Sequence, residues 1–225
     1  MLIRTENLVK KYDSHAGEVI AVNRVSLEVE PKKLTILRGK SGSGKTTLIN
    51  LLGTLDYPNE GKIWFENREI TTLSNKERDI LRRTKMGFVF QSVALFNEMT
   101  AYENVEFEMR ISGIKGKDCE QRVLDCLDMV GLGERAKHMP QELSGGEQQR
   151  VAIARSISHS PSVIFADEPT AQLDSQMSIQ IVEIFLEMIR KEGITVVMTT
   201  HDPDIIDYAH CVYTLNDGEV TDEPD

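Results

Sequence analysis

The stretch Leu34-Thr35-Ile36-Leu37-Arg38-Gly39-Lys40-Ser41-Gly42-Ser43-Gly44-Lys45-Thr46-Thr47-Leu48-Ile49-Asn50-Leu51-Leu52 decides the fold of this 225-residue chain. Leu34 to Arg38 read as a short apolar strand, and Thr46 to Leu52 read as a helix. Between them Gly39, Lys40, Ser41, Gly42, Ser43, Gly44, Lys45 and Thr46 fit G-x-x-x-x-G-K-[ST], the loop whose backbone N–H groups cradle nucleotide phosphates. Strand, loop and helix in that order supply the context the pattern needs and set it apart from an unliganded glycine-rich turn, because a helix amino terminus adds free N–H groups and a positive dipole. In that frame Lys45 reaches the β- and γ-phosphates and the Thr46 hydroxyl ligates Mg²⁺. Thr47 lies in the helix beside them, and Lys40 adds a second cation near the phosphates.

Outward from the loop, residues 2–8 and 19–29 alternate apolar and polar as half-buried strands do, with Val25, Leu27 and Val29 on one face. Gly61-Lys62-Ile63-Trp64-Phe65 reads as another strand. Ser74 and Glu77 form the capping box of a charged helix running through Arg83. From about residue 96 to 141 the period turns helical: Val123, Leu127 and Val130 share a face, and Gly131 is a stop. Strands return at Val163–Ala166, at 194–198 and, as a last strand, at 212–215, with an apolar helix over 178–191. The alternation predicts an α/β fold, a largely parallel sheet with helices on both faces, interrupted by a helical insertion.

Several polar residues follow these strands and so fall at the sheet edge where ligands bind. Asp167 and Glu168 follow Val163–Ala166. Asp167 suits Mg²⁺ ligation, direct or through water, and Glu168 suits polarisation of a water attacking the γ-phosphate. His201 ends the strand that contains Val196, Val197 and Met198; a lone histidine is usually structural, but its edge favours function. Gln91 ends Met86-Gly87-Phe88-Val89-Phe90, a placement of low specificity. Tyr12 is either an ordinary strand-end aromatic or a stacking platform for adenine. In Leu143-Ser144-Gly145-Gly146-Glu147-Gln148-Gln149-Arg150 the Ser144/Glu147 pair is another capping box, and the plain reading is a well-capped helix. The same physics makes a helix start with two glycines an anion site, and periodicity leaves the anion open.

Composition excludes several classes. Hydrophobic residues make up 40% and charged residues 28%, which suits a globular chain. A formal net charge of −10 disfavours sequence-independent nucleic-acid binding, which depends on Lys and Arg. No run approaches the roughly 18 apolar residues of a membrane span, and no signal peptide is evident at Met1-Leu2-Ile3-Arg4. Three cysteines, Cys119, Cys126 and Cys211, lack the count for a disulfide framework and the C-x-x-C spacing of a zinc site. A reducing cytoplasm is expected.

Taken in order, the phosphate loop, Gln91, residues 143–150, Asp167-Glu168, Leu173-Asp174 and His201 resemble the motifs of ATP-binding cassette (ABC) ATPases, over a span from Leu2 to Gly218. The resemblance implies a phosphate-loop core with an antiparallel β subdomain over approximately 1–91 and 145–225, and an inserted helical subdomain over 92–144. It implies ATP and Mg²⁺ as ligands, with Tyr12, residues 39–47, Ser144, Gly145, Gly146, Glu147 and Asp174 at the nucleotide. Lys45, Gln91, Glu168 and His201 take catalytic roles, and Thr46, Gln91 and Asp167 approach the metal. It also implies a head-to-tail homodimer in which the 144–147 segment of one subunit meets the γ-phosphate held by the other.

Leu51-Leu52-Gly53-Thr54-Leu55-Asp56, Gly87-Phe88-Val89-Phe90-Gln91, Thr100-Ala101-Tyr102-Glu103-Asn104-Val105 and Glu168-Pro169-Thr170 are similar to ATPases driving macrolide, lipoprotein and antimicrobial-peptide exporters. Amino-acid importer ATPases are similar too. Those exporter ATPases serve separate permeases, so the expected location is peripheral, on the inner face of the cell membrane, with the helical insertion (Glu103 and Glu106 on its surface) docking the permease. Ala171-Gln172 stands where this subgroup has Gly-Asn, and Asn97 where it has proline. A soluble ABC protein acting on DNA or ribosomes fits less well, since such proteins usually carry zinc motifs, long coiled coils or two cassettes that this sequence does not show, and a phosphate-loop kinase leaves residues 143–150 unexplained.

Overall fold

A computed structural model of the chain describes residues 1–14 and 17–222. The chain begins in an antiparallel sheet of β1 (Ile3–Ser14), β2 (Gly17–Val25) and β3 (Glu28–Val29), crosses to β4 (Leu34–Arg38) and α1 (Lys45–Leu52), and returns as β5 (Glu60–Phe65) and β6 (Arg68–Glu69). α2 (Asn75–Lys85) leads to β7 (Met86–Val89), after which come α3 (Ala101–Ile111), α4 (Lys117–Met129) and α5 (Gly145–Ile157). β8 (Val163–Ala166), α6 (Ser175–Glu192), β9 (Thr195–Thr200), the one-turn α7 (Pro203–Ile206), β10 (Cys211–Asn216) and β11 (Glu219–Asp222) complete it. The second sheet has the order β11-β10-β4-β9-β8-β7, parallel from β10 to β7, with β11 antiparallel at its edge.

Period-two alternation sorts the parallel strands' side chains onto two cores. Leu34, Ile36, Ile164, Ala166, Val196 and Met198 face α3, α4, α5 and α6. Leu37, Val163, Phe165 and Val197 face α1 and the inner side of the antiparallel sheet, where Ile3, Leu8, Val25 and Ile63 lie. Helices thus cover both faces. Cys119 and Cys126 are buried on α4, and burial pushes the Cys126 thiol up to about 12.

Two expectations needed correction. Residues 19–29 are not one strand: Val25 pairs with Leu8 and Val29 with Ile3, and the chain leaves the pleat between them at Ser26-Leu27, just after Arg24 takes φ 50°. Thr5 satisfies the backbone released there, donating to Val25 O (3.2 Å) and accepting from Leu27 N (2.9 Å). Nor is 212–215 the last strand, because β11 follows it through a hairpin whose Asp217 (φ 47°) and Gly218 (φ 82°) are both left-handed. The Asp-Gly pair was a legible hairpin signal; the strand after it has only one apolar residue, Val220.

Asn104, in the Thr100–Val105 motif, is fully buried in the first turn of α3. Its Oδ1 accepts from Phe96 N (2.8 Å), and its Nδ2 faces the carbonyls of Phe96, Met99 and Thr100 at 3.1, 3.0 and 3.0 Å. The side chain therefore folds the loop between β7 and α3 onto the helix start, which sets the route from Gln91 into the helical insertion.

Candidate nucleotide site

β4, β9, β8 and β7 are adjacent, so their carboxyl ends bring the phosphate loop, His201, Asp167-Glu168 and Gln91 to one edge. Gly44 holds the loop against β2: its φ is 99°, and a Cβ there would lie 2.1 Å from Ala21 O. Among the described residues, the amides of Gly42, Gly44, Lys45 and Thr46 have no hydrogen-bond acceptor, and the buried Ser43 hydroxyl has no partner. Unpaired donors at a helix amino terminus are what an anion requires. The Lys45 side chain, 5% exposed, curls beneath them; Nζ donates to Gly39 O (2.8 Å) and Lys40 O (3.1 Å) and lies 3.6 Å from Glu168 Oε1.

The acidic pair is tied to that loop through hydroxyls. Asp167 Oδ1 accepts from Thr46 Oγ1 (3.1 Å) and from Thr199 Oγ1 (2.7 Å). Thr199 Oγ1 in turn accepts from Glu168 N at 2.7 Å. Glu168 has φ 45°, a region a side-chain-bearing residue occupies only when its surroundings hold it there. Its carboxylate stands between Lys45 and His201, whose exposed ring has Nδ1 3.6 Å from Glu168 Oε2. A hydroxyl that donates to a carboxylate keeps its lone pairs for a cation, so Thr46 and Asp167 fit Mg²⁺, a hard ion that takes few protein oxygens and completes its shell with phosphate and water. Sequence reasoning missed Thr199.

The other candidate residues form no hydrogen bond or ion pair with Asp167 or Glu168 among the described residues. Tyr12, on β1, donates its hydroxyl to Asp56 Oδ2 (2.8 Å), while Lys10 Nζ sits 4.9 Å from its ring centroid and 2.8 Å from Asp56 Oδ1. Partial burial and the Asp56 carboxylate hold the Tyr12 phenol above its usual pKa. Gln91 is exposed and shares a cavity of about 110 Å³ with Gly145, Glu168 and Gln172. Asp174 caps α6, accepting from Met177 N (2.9 Å). Ser144 caps α5: its hydroxyl accepts from Glu147 N (3.3 Å), and Glu147 Oε2 accepts from Ser144 N and Oγ, each at 2.8 Å. A Cβ on Gly145 would meet open space, whereas one on Gly146 would collide with the Met177 side chain. Among the described residues no hydrogen bond or ion pair of 144–147 reaches residues 39–47; Glu147 instead lies 3.6 Å from Arg135 Nε.

Comparison with known proteins gives this arrangement a context. The family profile described as "ABC transporter" matches residues 22–171. The cell division ATP-binding protein FtsE of Escherichia coli is 41% identical over 220 residues, 97% of each chain. The macrolide export ATP-binding/permease protein MacB of Syntrophobacter fumaroxidans is 39% identical across 99% of this chain, which spans 31% of that protein. The solved dimer of the ATP-binding cassette MJ0796 bound to ADP and Pi superposes with a TM-score of 0.91 at 36% identity, covering 100% of this chain and 98% of that one; MJ0796 comes from Methanocaldococcus jannaschii.

The Ser144 cap has a measurable pH signature. Hydrogen bonds from the Ser144 amide and hydroxyl hold the Glu147 carboxyl below the usual carboxylate range. A carboxyl whose pKa falls on folding stabilises the fold above its unfolded pKa and loses that contribution as pH drops through the folded value. Ser144→Ala should cost about 1 kcal/mol at neutral pH. Urea titrations should show that deficit narrowing in acid, and a pH-independent deficit would mean that Glu147 takes no part in the cap.

Proposed function

We propose, starting from the fact that this chain belongs to the ABC transporter family, that two copies of it close head to tail on two ATP molecules to drive a separate membrane permease. That it is an ATPase coupled to transport follows from the family. The observation carrying the two-copy reading is the α5 amino terminus: Ser144 and Gly145 are exposed, with open space beyond Gly145, and among the described residues neither bonds to its own phosphate loop. An anion site so placed serves a phosphate held by another subunit. The dimeric ADP- and Pi-bound MJ0796 structure supports it.

In each site the unpaired amides of the loop receive the phosphates, and Lys45 exchanges its loop carbonyls for β- and γ-oxygens. Tyr12 offers adenine the ring face that Lys10 does not cover. Thr46 and Asp167, with Gln91, would hold Mg²⁺, and the ion would neutralise phosphate charge. Glu168 orients the water whose oxygen bonds to the γ-phosphorus as the bond to ADP breaks, and His201 holds the Glu168 carboxylate from its outer side.

For the permease, the surface we favour is a groove of about 740 Å³ between α2, the end of β7 and α3. Leu55, Ile80, Phe90, Phe96, Phe107 and Ile111 make it apolar, and Lys76 and Arg83 on its lining form no ion pair among the described residues. A short apolar segment with an acidic residue fits it. Phe90 adjoins Gln91, so the groove is one residue from the site. Glu103 is a poorer contact than sequence reasoning expected, since its carboxylate is engaged in the Thr100 capping box. Among the described residues no helix is long and apolar enough to cross a membrane; the peripheral place on the cytoplasmic face that we propose rests on the family alone. Likeness to the macrolide exporter favours extrusion of a hydrophobic drug, peptide or lipoprotein.

Glu168→Gln should bind ATP but hydrolyse it about 100- to 10,000-fold more slowly. By light scattering it should be a dimer with MgATP and a monomer without, and Ser144→Arg added to it should abolish the dimer. A Glu168→Gln protein monomeric at saturating MgATP contradicts the two-copy site. Arg83→Glu should leave basal ATPase intact and weaken stimulation by the permease; full stimulation would move the docking surface elsewhere.

A further inference from the structure

The geometry points to Thr199 as a positioning residue that sets where the Asp167 and Glu168 carboxylates stand relative to each other. The inference rests on the reading that these two acids serve metal binding and water activation. Thr199 is fully buried near the end of β9, the strand between β4 and β8. Parity along β9 puts it on the Val197 face, toward α1 and Thr46, and away from the Val196 and Met198 face. Its single hydroxyl is used in both directions: it donates to Asp167 Oδ1 at 2.7 Å and accepts from Glu168 N at 2.7 Å.

Each bond restrains a different freedom. The bond to Asp167 fixes its carboxylate with Oδ1 turned toward Thr46 as well, so that this oxygen faces two hydroxyls and Oδ2 has no partner among the described residues. The bond from Glu168 N holds the one residue of the pair whose backbone is left-handed. That conformation is costly for a residue with a side chain, so without an anchor the peptide is free to relax and swing the Glu168 side chain away from Lys45. A valine in the same space would fill the core equally well and anchor neither acid. Thr199 touches neither nucleotide nor water in this scheme; it acts only through its neighbours.

The test compares Thr199→Val, Thr199→Ser and Thr199→Cys in the full chain. Thr199→Val should lower kcat about 10- to 100-fold with the KM for ATP within about threefold of wild type, while Thr199→Ser keeps near-normal turnover. Thr199→Cys, with a weaker donor in the same place, should fall between them. A readout free of turnover comes from calorimetry in the Glu168→Gln background. There the Mg²⁺ concentration that half-maximally enhances ATP binding should rise in the Thr199→Val protein and stay put with Ser. Normal kcat and normal Mg²⁺ dependence in Thr199→Val overturn the inference. So does a Thr199→Ser protein as impaired as Thr199→Val, or a Cys variant equal to wild type, because the hydroxyl would then not be the operative group. If Thr199→Val does not fold, the Ser and Cys variants decide alone. If Glu168→Gln itself hydrolyses ATP normally, the underlying reading of the acids fails instead.

Discussion

One carboxylate oxygen, Asp167 Oδ1, receives hydroxyl hydrogen bonds from α1 through Thr46 and from β9 through Thr199. Hydrogen bonds to a charged acceptor are worth about 1.5–3 kcal/mol each, about twice a neutral one. Their effect here is chiefly geometric. They join the loop after β4 to the ends of β8 and β9, and Asp167 N adds β7 by donating to Val89 O at 2.8 Å. The ends of β4, β9, β8 and β7 are thus held as a unit, and the candidate residues that follow these strands take their positions from it.

The same edge is balanced in charge. The Lys45 ammonium is satisfied by two carbonyls of its own loop and lies near Glu168, so the buried cation is not left uncompensated. Phosphates arriving at the loop compete with Glu168 for that ammonium. In the proposed cycle nucleotide binding therefore releases the Glu168 carboxylate toward His201 and the water position. In that proposed cycle one ion pair couples occupancy of the phosphate site to readiness of the acid.

The fold was largely legible because its decisive elements carry their own local signals. The Leu34–Leu52 stretch, the S-x-x-E helix starts at Ser74 and Ser144, and the apolar strand before Asp167 each combine period with a chemical marker. What escaped had no such marker. The break at Ser26-Leu27 depends on Thr5, a partner more than twenty residues away. Thr199 reads as one more β-branched strand residue, since its role exists only where β8 and β9 lie side by side. Asn104 stood inside a motif quoted for resemblance, yet its four backbone contacts appear only once the 96–100 loop has folded over it. The Asp217-Gly218 hairpin, by contrast, was written in the sequence and passed over because the strand beyond it is polar.

The central claim is that each ATP site is built from two chains, with the Lys45 loop of one facing the Ser144 helix end of the other. A crystal structure of the Glu168→Gln protein with MgATP tests it most directly. The account predicts γ-phosphate oxygens within hydrogen-bond distance of Lys45 of one chain and of Ser144 and the Gly145 or Gly146 amides of the second. A nucleotide contacted by one chain alone, with Ser144 facing solvent, would contradict it.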